Sequence, residues 1–530
     1  MRGRIYFFLS LCILGAAGLG YRLHVLAGDG STAVSGGWDR DERRMPCLEQ
    51  RGDFYDRDMQ PLTGVDGIYL TAVEPQYYLE EKDRARLRIE LGGVQISEEQ
   101  WQQRGPFTVL SREKVDLPGV TQWQIPDRYG TLMPALHTLG YCDVQQTTGL
   151  SGLEQQFNEI LKDQGQWGIR YHSDAAGHTV GTDAVELWQE EQEGGGVQLT
   201  LDAEIQQAVT EVVRSQMDKG CVVVMGVQSG NILAIESQPV ADPYRVSEVL
   251  DSTEGELVNR AFQPYPVGSV FKLVTAAAAL EEGICSEYLT YECIGSIDVS
   301  GVSISCSHHE GHGTVNMEEA FAQSCNPYFI HLAQLVGAEK LVQYAKAFGF
   351  GQESVLSGLI QLSSGNLPTV QQLSAPAALA NLSIGQGDLL ATPVQVCNML
   401  CTIARGGIFQ QPDLLIREVS SGGKTEKYYQ KSEQKVILSQ KTCRKLMKMM
   451  RLVVTDGTGT AAEVAGTTVC GKTSSAQGGS GKVDAWFAGV FPQDNPKYAM
   501  VVLCEDGREG AKTAAPLFAE ITRKIVELES

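Results

Sequence analysis

The chain has 530 residues, too many for one ordinary hydrophobic core, which predicts two or three domains. Its composition, 43% apolar and 20% charged, is that of a globular protein. A net charge of −21 excludes a general binder of nucleic acid or of anionic membrane surfaces, because both would repel it.

In chain order, Met1-Arg2-Gly3-Arg4 leads into an apolar run from Ile5 to about Leu19, followed by Tyr21 and Arg22. The arginines favour a cytoplasmic N-terminus by the positive-inside rule. The run is long for a signal-peptide core and slightly short for a spanning helix. Residues 1–23 read as a cytoplasmic stub and uncleaved signal anchor, in preference to a signal peptide cut near Ala16, Ala17 and Gly18. No other stretch is long and apolar enough to span, so a single-pass protein with its bulk outside the cytoplasm is expected. The thirteen cysteines are odd in number and irregularly spaced, against a full disulfide framework. So many thiols outside the cytoplasm point to a reducing or anaerobic habitat.

Residues 24–49 read as a linker, polar and glycine-rich from Thr32 onward. Residues 50–189 mix short apolar runs with charged stretches and read as a smaller α+β domain. Residues 190–196, Glu-Glu-Gln-Glu-Gly-Gly-Gly, form a second linker. The pattern then sharpens into a domain over 197–530. Val197 to Leu201 alternates like a strand, and Ala203 to Met217 has helical spacing with Asp202 as its N-cap. Cys221–Met225 and Asn231–Glu236 predict a hairpin around Gln228-Ser229-Gly230. Ala485–Phe491 and Tyr498–Cys504 predict another strand pair, and Ala514–Leu528 a final helix. Strands at both ends with helices between predict an α+β (αβα) fold, a central antiparallel sheet packed by helices on both sides.

Three short motifs carry chemistry. Ser269-Val270-Phe271-Lys272 opens a strongly helical segment. Residues three apart share a helix face, which sets the lysine amine beside the serine hydroxyl. A serine hydroxyl is a weak nucleophile until a base takes its proton, and a lysine of lowered pKa is such a base. Ser324-Cys325-Asn326 precedes a helical run from Tyr328 to Val336. Lys472-Thr473-Ser474-Ser475 falls between the strand-like Thr467-Thr468-Val469 and a glycine loop, and offers a cation and hydroxyls for a carboxylate. Each alone reads more readily as an exposed pair, a helix cap or a polar strand end. Together and in this order they match the signature shared by penicillin-binding proteins and class A β-lactamases.

The chain closely resembles the class B penicillin-binding proteins over nearly its whole length. Besides the triple, RGDFYDRD (Arg51 to Asp58), GLSGLEQQFN (Gly149 to Asn158), LTLDAEIQ (Leu199 to Gln206), SGNILA (Ser229 to Ala234), NRAFQPYPVGSVFK (Asn259 to Lys272), SIGQGDLLATPVQ (Ser383 to Gln395) and DGTGTAA (Asp456 to Ala462) look like stretches of that family. The resemblance implies an N-terminal pedestal of the dimerisation type at 50–189 and a penicillin-binding transpeptidase domain at 197–530. It implies Ser269 as the acylated nucleophile, Lys272 as its base and Ser324 as the proton relay to the leaving amine. Asn326, Thr473, Ser474 and Ser475 would line the peptide site, and Lys472 would keep it electropositive. The N–H groups of Ser269 and Ser475 would form the oxyanion hole. The implied reaction is DD-transpeptidation of peptidoglycan stem peptides, with no catalytic cofactor, inhibition by β-lactams and a membrane glycosyltransferase as partner.

Two departures stand out. The third motif usually has glycine where Ser474 stands; its side chain is expected either to crowd the peptide or to point away from the cleft. The proline usual immediately before the Gly-Ser of the first motif is displaced to Pro266. Between the first two motifs, Cys293, Cys306, His308, His309 and His312 make a ligand-rich segment. Three readings stay open: a structural zinc held by Cys293, Cys306, His309 and His312, a Cys293–Cys306 disulfide, or plain loop residues. The rival functions are an inactive homologue that scaffolds a wall-synthesis complex, a β-lactamase, and a β-lactam sensor. A β-lactamase would need neither pedestal nor anchor, and a sensor would need more membrane segments.

Overall fold

The computed structural model describes residues 42–174, 177–179, 185–192, 194–284, 289–420, 423–477 and 481–529. The expected anchor and most of the first linker lie outside them. Among the described residues, no helix is long and apolar enough to cross a membrane.

The chain divides into two compact units. The smaller holds the described residues up to Gln50, Gly67–Asp127 and Asp163–Gln192. It contains two three-stranded sheets: Glu42–Glu49, Gly165–His172 and Val185–Glu191 in one, Phe107–Ser111, Asp66–Val73 and Val120–Asp127 in the other. Helix Glu81–Glu90 buries Leu87 with Val73, Tyr78, Trp101 and Phe107. Trp101 meets Phe107 edge-on at 5.2 Å, an arrangement the ring quadrupoles favour.

The larger unit holds Arg51–Asp66, Arg128–Lys162 and Glu193–Ser530. These compact units cut across the expected bounds of 50–189 and 197–530, since Arg51–Asp66 and Arg128–Lys162 fall in the larger unit. A buried ionic cluster shows why they belong there. Arg51 Nε donates to Glu154 Oε2 at 3.0 Å, and Arg128 Nε donates to the other oxygen of the same carboxylate. Arg51 Nη2 also donates to Asn158 Oδ1 at 3.0 Å, and Arg128 Nη2 to the Gly52 carbonyl at 2.9 Å. All three charged side chains are almost wholly buried, where charges persist only when paired and hydrogen-bonded. The RGDFYDRD and GLSGLEQQFN segments are thus joined through Arg51, Glu154 and Asn158.

The main sheet has five strands: β1 (Gly220–Gly226), β2 (Ile232–Gln238), β3 (Cys470–Gln477), β4 (Val483–Phe491) and β5 (Tyr498–Cys504). Their spatial order is β2-β1-β5-β4-β3, antiparallel throughout. Strand alternation feeds two cores. Val222 and Val224 pack with helices α1 (Ala203–Gln216) and α6 (Ala514–Leu528), through Val209, Val213, Phe518 and Ile521. Val223 and Met225 face helices α2 (Lys272–Glu281) and α4 (Pro393–Ala404), through Val274, Ala278, Val396 and Leu400. Between these last two in sequence lies α3 (Asn326–Val336), and helix α5 (Gln440–Thr455) precedes β3. This is the helix–sheet–helix arrangement expected. Asp202 caps α1, its carboxylate accepting from the Ile205 N–H at 3.1 Å.

Local differences are informative. The segment from Ser269 does not enter an α-helix at once: Gly268–Phe271 is a 3-10 turn and α2 begins at Lys272. Thr467-Thr468-Val469 precedes the strand, and Lys472 to Ser475 lie within β3.

Candidate active site

Three elements of the larger unit converge. Ser269 lies in the 3-10 turn, half-buried, after Gly268 at φ 58°, a backbone state that favours glycine. The Gly268 N–H donates to the Gly385 carbonyl at 2.8 Å. A Cβ on Gly385 would stand 2.0 Å from the Gly268 carbonyl oxygen, so the SIGQGD segment needs glycine there to hold the turn.

Lys272 follows one turn later and is fully buried. Its Nζ donates to the Ser324 carbonyl at 2.7 Å, to Ser324 Oγ at 3.2 Å and to Asn326 Oδ1 at 2.7 Å. The Phe329 ring lies 5.6 Å from it. Ser324 adopts φ 57°, and its Oγ donates to Ser269 Oγ at 3.0 Å. A hydrogen-bonded chain thus runs Lys272–Ser324–Ser269, with no direct bond from Lys272 to Ser269 among the described residues. Helix α3 begins at Asn326, whose Nδ2 donates to the Ser305 carbonyl at 3.1 Å.

Strand β3 supplies the opposite wall. Lys472 is fully buried; its Nζ donates to the Thr473 carbonyl at 3.1 Å and lies 5.7 Å from the Phe321 ring. The Thr473 and Thr458 hydroxyls pair at 2.6 Å, which ties the DGTGTAA segment to the motif. Ser475 is exposed, and its Oγ accepts from the Gly510 N–H at 3.1 Å, which leaves its proton free for another acceptor. Ser474 is buried, and its Oγ is unpartnered among the described residues. Its side chain points at Gly268, where an added Cβ would meet Ser474 Oγ at 2.3 Å.

Burial sets the electrostatics. Loss of water around Lys272 brings its pKa down to about 7, partly offset by the nearby Cys325 and Cys306 thiols. Lys472 is held well below the usual lysine range by burial and then by the charge of Lys272. A neutral amine at Lys272, linked through Ser324 to a half-buried serine, suits proton abstraction and acyl transfer.

Beside the second motif, ligand atoms of Cys293, Cys306, His312 and Cys325 lie within 4.8 Å of one another. Cys306 Sγ is 3.5 Å from His312 Nδ1. Short strands frame the group: Tyr291–Cys293 pairs with Gly313–Val315, and Ser296–Val299 with Val302–Ser305. His309, expected as a ligand, does not belong to this group; Cys325 is its fourth member. The sequence signal for Cys325 was its place inside Ser324-Cys325-Asn326, but that cysteine is separated from Cys306 by nineteen positions and only folding joins them. The eleven described cysteines are free thiols, Cys293 and Cys306 included.

The three motifs thus meet at one place, Ser269 and Lys272 on one side, Ser324 and Asn326 beside them and Lys472 to Ser475 on β3 opposite. Residues 220–523 match the family described as penicillin binding protein transpeptidase domain. The chain is 32% identical over 363 residues to penicillin-binding protein PbpB of Mycolicibacterium smegmatis, covering 63% of this chain and 55% of that protein. It is 29% identical over 411 residues to stage V sporulation protein D of Bacillus subtilis, covering 73% and 62%. The chain thus spans somewhat over half the length of these relatives. Among solved structures, penicillin-binding protein A from M. tuberculosis, as its ceftriaxone acyl-enzyme complex, superposes with a TM-score of 0.59. It is 28% identical, with 63% of this chain and 81% of that one covered. The chain belongs to the class B penicillin-binding proteins.

Proposed function

We propose that this protein is a peptidoglycan DD-transpeptidase whose nucleophile is Ser269. The observation that carries the reading is the Lys272–Ser324–Ser269 chain of hydrogen bonds facing the wall of Lys472, Thr473 and Ser475. Neutral Lys272 takes the Ser269 proton through the Ser324 hydroxyl. Ser269 Oγ attacks the amide carbonyl carbon between the two D-alanines of a stem peptide. The N–H groups of Ser269 and Ser475 receive the charge developing on oxygen. The proton returns through Ser324 to the departing amine, and free D-alanine leaves. The amine of a neighbouring stem then attacks the ester carbonyl, forms the cross-link and restores Ser269. Thr473 and Ser475 bind the substrate carboxylate, and Asn326 the peptide. The same attack on a β-lactam opens its ring and leaves Ser269 acylated.

The reading extends to a single-pass anchor at residues 1–23, a catalytic domain outside the cytoplasm and a membrane glycosyltransferase that supplies the glycan strand. A peptidoglycan synthase complex of polymerisation and crosslinking is among the similar solved structures, at 23% identity and a TM-score of 0.67. The direct test is covalent labelling by fluorescent penicillin. Wild type is expected to label and Ser269→Ala to lose the label. A folded wild type that never labels would sink the transpeptidase reading and favour a scaffold.

The cysteine group is read as a structural zinc site of Cys293, Cys306, His312 and Cys325. Three thiols and one imidazole are a donor set zinc takes, and bonds of about 2.3 Å imply tetrahedral edges of roughly 3.8 Å. The observed grouping within 4.8 Å needs only a small contraction. A bound zinc would cross-link the short strands to the start of α3 and take no part in acyl transfer. Elemental analysis is expected to find about one zinc per chain, lost in Cys325→Ser and retained in His309→Ala. Loss in His309→Ala with retention in Cys325→Ser would restore the ligand set read from the sequence.

A further inference from the structure

Ser474 stands where the family resemblance implies a glycine. The residue is buried and its Oγ has no hydrogen-bond partner among the described residues. A buried hydroxyl without a partner is unfavourable, so its place invites a reason. The side chain abuts Gly268: a Cβ there would lie 2.3 Å from Ser474 Oγ and 3.2 Å from Ala476 Cβ. Gly268 is held from the other direction by Gly385, which accepts its N–H at 2.8 Å. The backbone of Ser474 is in turn closely flanked by Gly510, where an added Cβ would sit 2.3 Å from the Ser474 carbonyl oxygen and 3.0 Å from its nitrogen. The Gly510 N–H donates to Ser475 Oγ at 3.1 Å.

These contacts have a simple geometric meaning. The peptide joining Gly268 to Ser269 carries one oxyanion N–H, and the peptide joining Ser474 to Ser475 carries the other. Ser474 is the residue before one donor, and its side chain touches the residue before the other. We propose that Ser474 is a positioning residue, a spacer whose bulk sets the separation of the two oxyanion-hole donors. The inference rests on Ser269 as nucleophile and on the two N–H groups as the hole. It assigns the effect to the atom at the γ position: Ser474 Oγ props β3 away from the nucleophile turn, and Gly268 is the surface it meets.

Such a spacer acts on the transition state, because oxyanion donors must sit where the charged oxygen will be and not where the neutral carbonyl is. Removing it lets β3 and the turn approach, which misplaces both donors without altering the side chains that bind the ligand.

The test uses the full-length chain in detergent, with fluorescent penicillin acylation resolved into a binding constant and an acylation rate constant. Ser474→Gly is expected to lower the acylation rate constant about tenfold while binding changes by less than about twofold. Its affinity for a peptide boronic acid, which forms a tetrahedral adduct on Ser269, falls in parallel. Ser474→Cys keeps an atom at the γ position without the hydroxyl and is expected to recover more than half of the lost rate, whereas Ser474→Ala, which lacks that atom, is expected to be as slow as Ser474→Gly. Thermal unfolding followed by circular dichroism separates a loss of fold from a loss of rate. A Ser474→Gly chain as fast as wild type overturns the spacer, as does a loss confined to binding. A Ser474→Cys chain as slow as Ser474→Gly assigns the effect to the hydroxyl and overturns it too, as does a Ser474→Ala chain as fast as wild type. Labelling of Ser269→Ala equal to wild type, or a folded wild type that never labels, removes the nucleophile reading and the spacer with it.

Discussion

The base role proposed for Lys272 requires a neutral amine. Its burial, partly offset by the nearby Cys325 and Cys306, brings its pKa to about 7. Below that value the amine is protonated and donates to its neighbours; above it a lone pair is free to accept the proton relayed from Ser269. The acylation rate constant for a penicillin is therefore expected to rise nearly tenfold per pH unit below about 7 and to level off above about 8. A profile flat from pH 5 to 9 would remove Lys272 as the titrating base. The route through Ser324 was implied by the family resemblance only for the leaving amine. Here it also joins Lys272 to Ser269, because Lys272 Nζ is turned toward the second motif. Helical spacing shows that Ser269 and Lys272 share a face, but not which neighbour the amine chooses.

At the scale of elements, the Arg51–Glu154–Arg128 cluster binds two early segments into the larger unit. Removing the shared carboxylate leaves two guanidinium groups buried together without their counter-ion. Glu154→Ala is expected to destabilise the protein by about 3–5 kcal/mol in denaturant unfolding. A loss below about 1 kcal/mol would mean that water or another acceptor replaces the carboxylate. Hairpins, caps and the last helix were readable because their signals are local: α6 spans the expected Ala514–Leu528, and Asp202 caps α1 as its position suggests. The third motif is expected on a strand and lies inside β3, but the stretch with strand-like composition, Thr467-Thr468-Val469, precedes that strand, since a polar run such as Lys-Thr-Ser-Ser has no apolar alternation to mark its bounds. Its pairing with β4, Ser474 opposite Trp486, supplies what composition lacks.

Across the whole molecule, the sequence order and the spatial order diverge. Unit boundaries fall after Gln50, Asp66, Asp127, Lys162 and Gln192, so the chain passes repeatedly between units. Linker composition marks only the last of these crossings. What the sequence by itself determined is the chemistry: which serine, lysines, asparagine and thiols are available, and which helices and strands carry them. Motifs and periodicities are short-range, and covalent spacing is enough to establish them. The tertiary structure alone decided that Cys325 joins Cys293, Cys306 and His312, and that Ser474 turns toward Gly268. It also decided that Glu154 is shared by Arg51 and Arg128. Each of these brings together residues far apart in the chain, and such distances are set by how the cores pack on the two faces of the sheet, which no local pattern encodes.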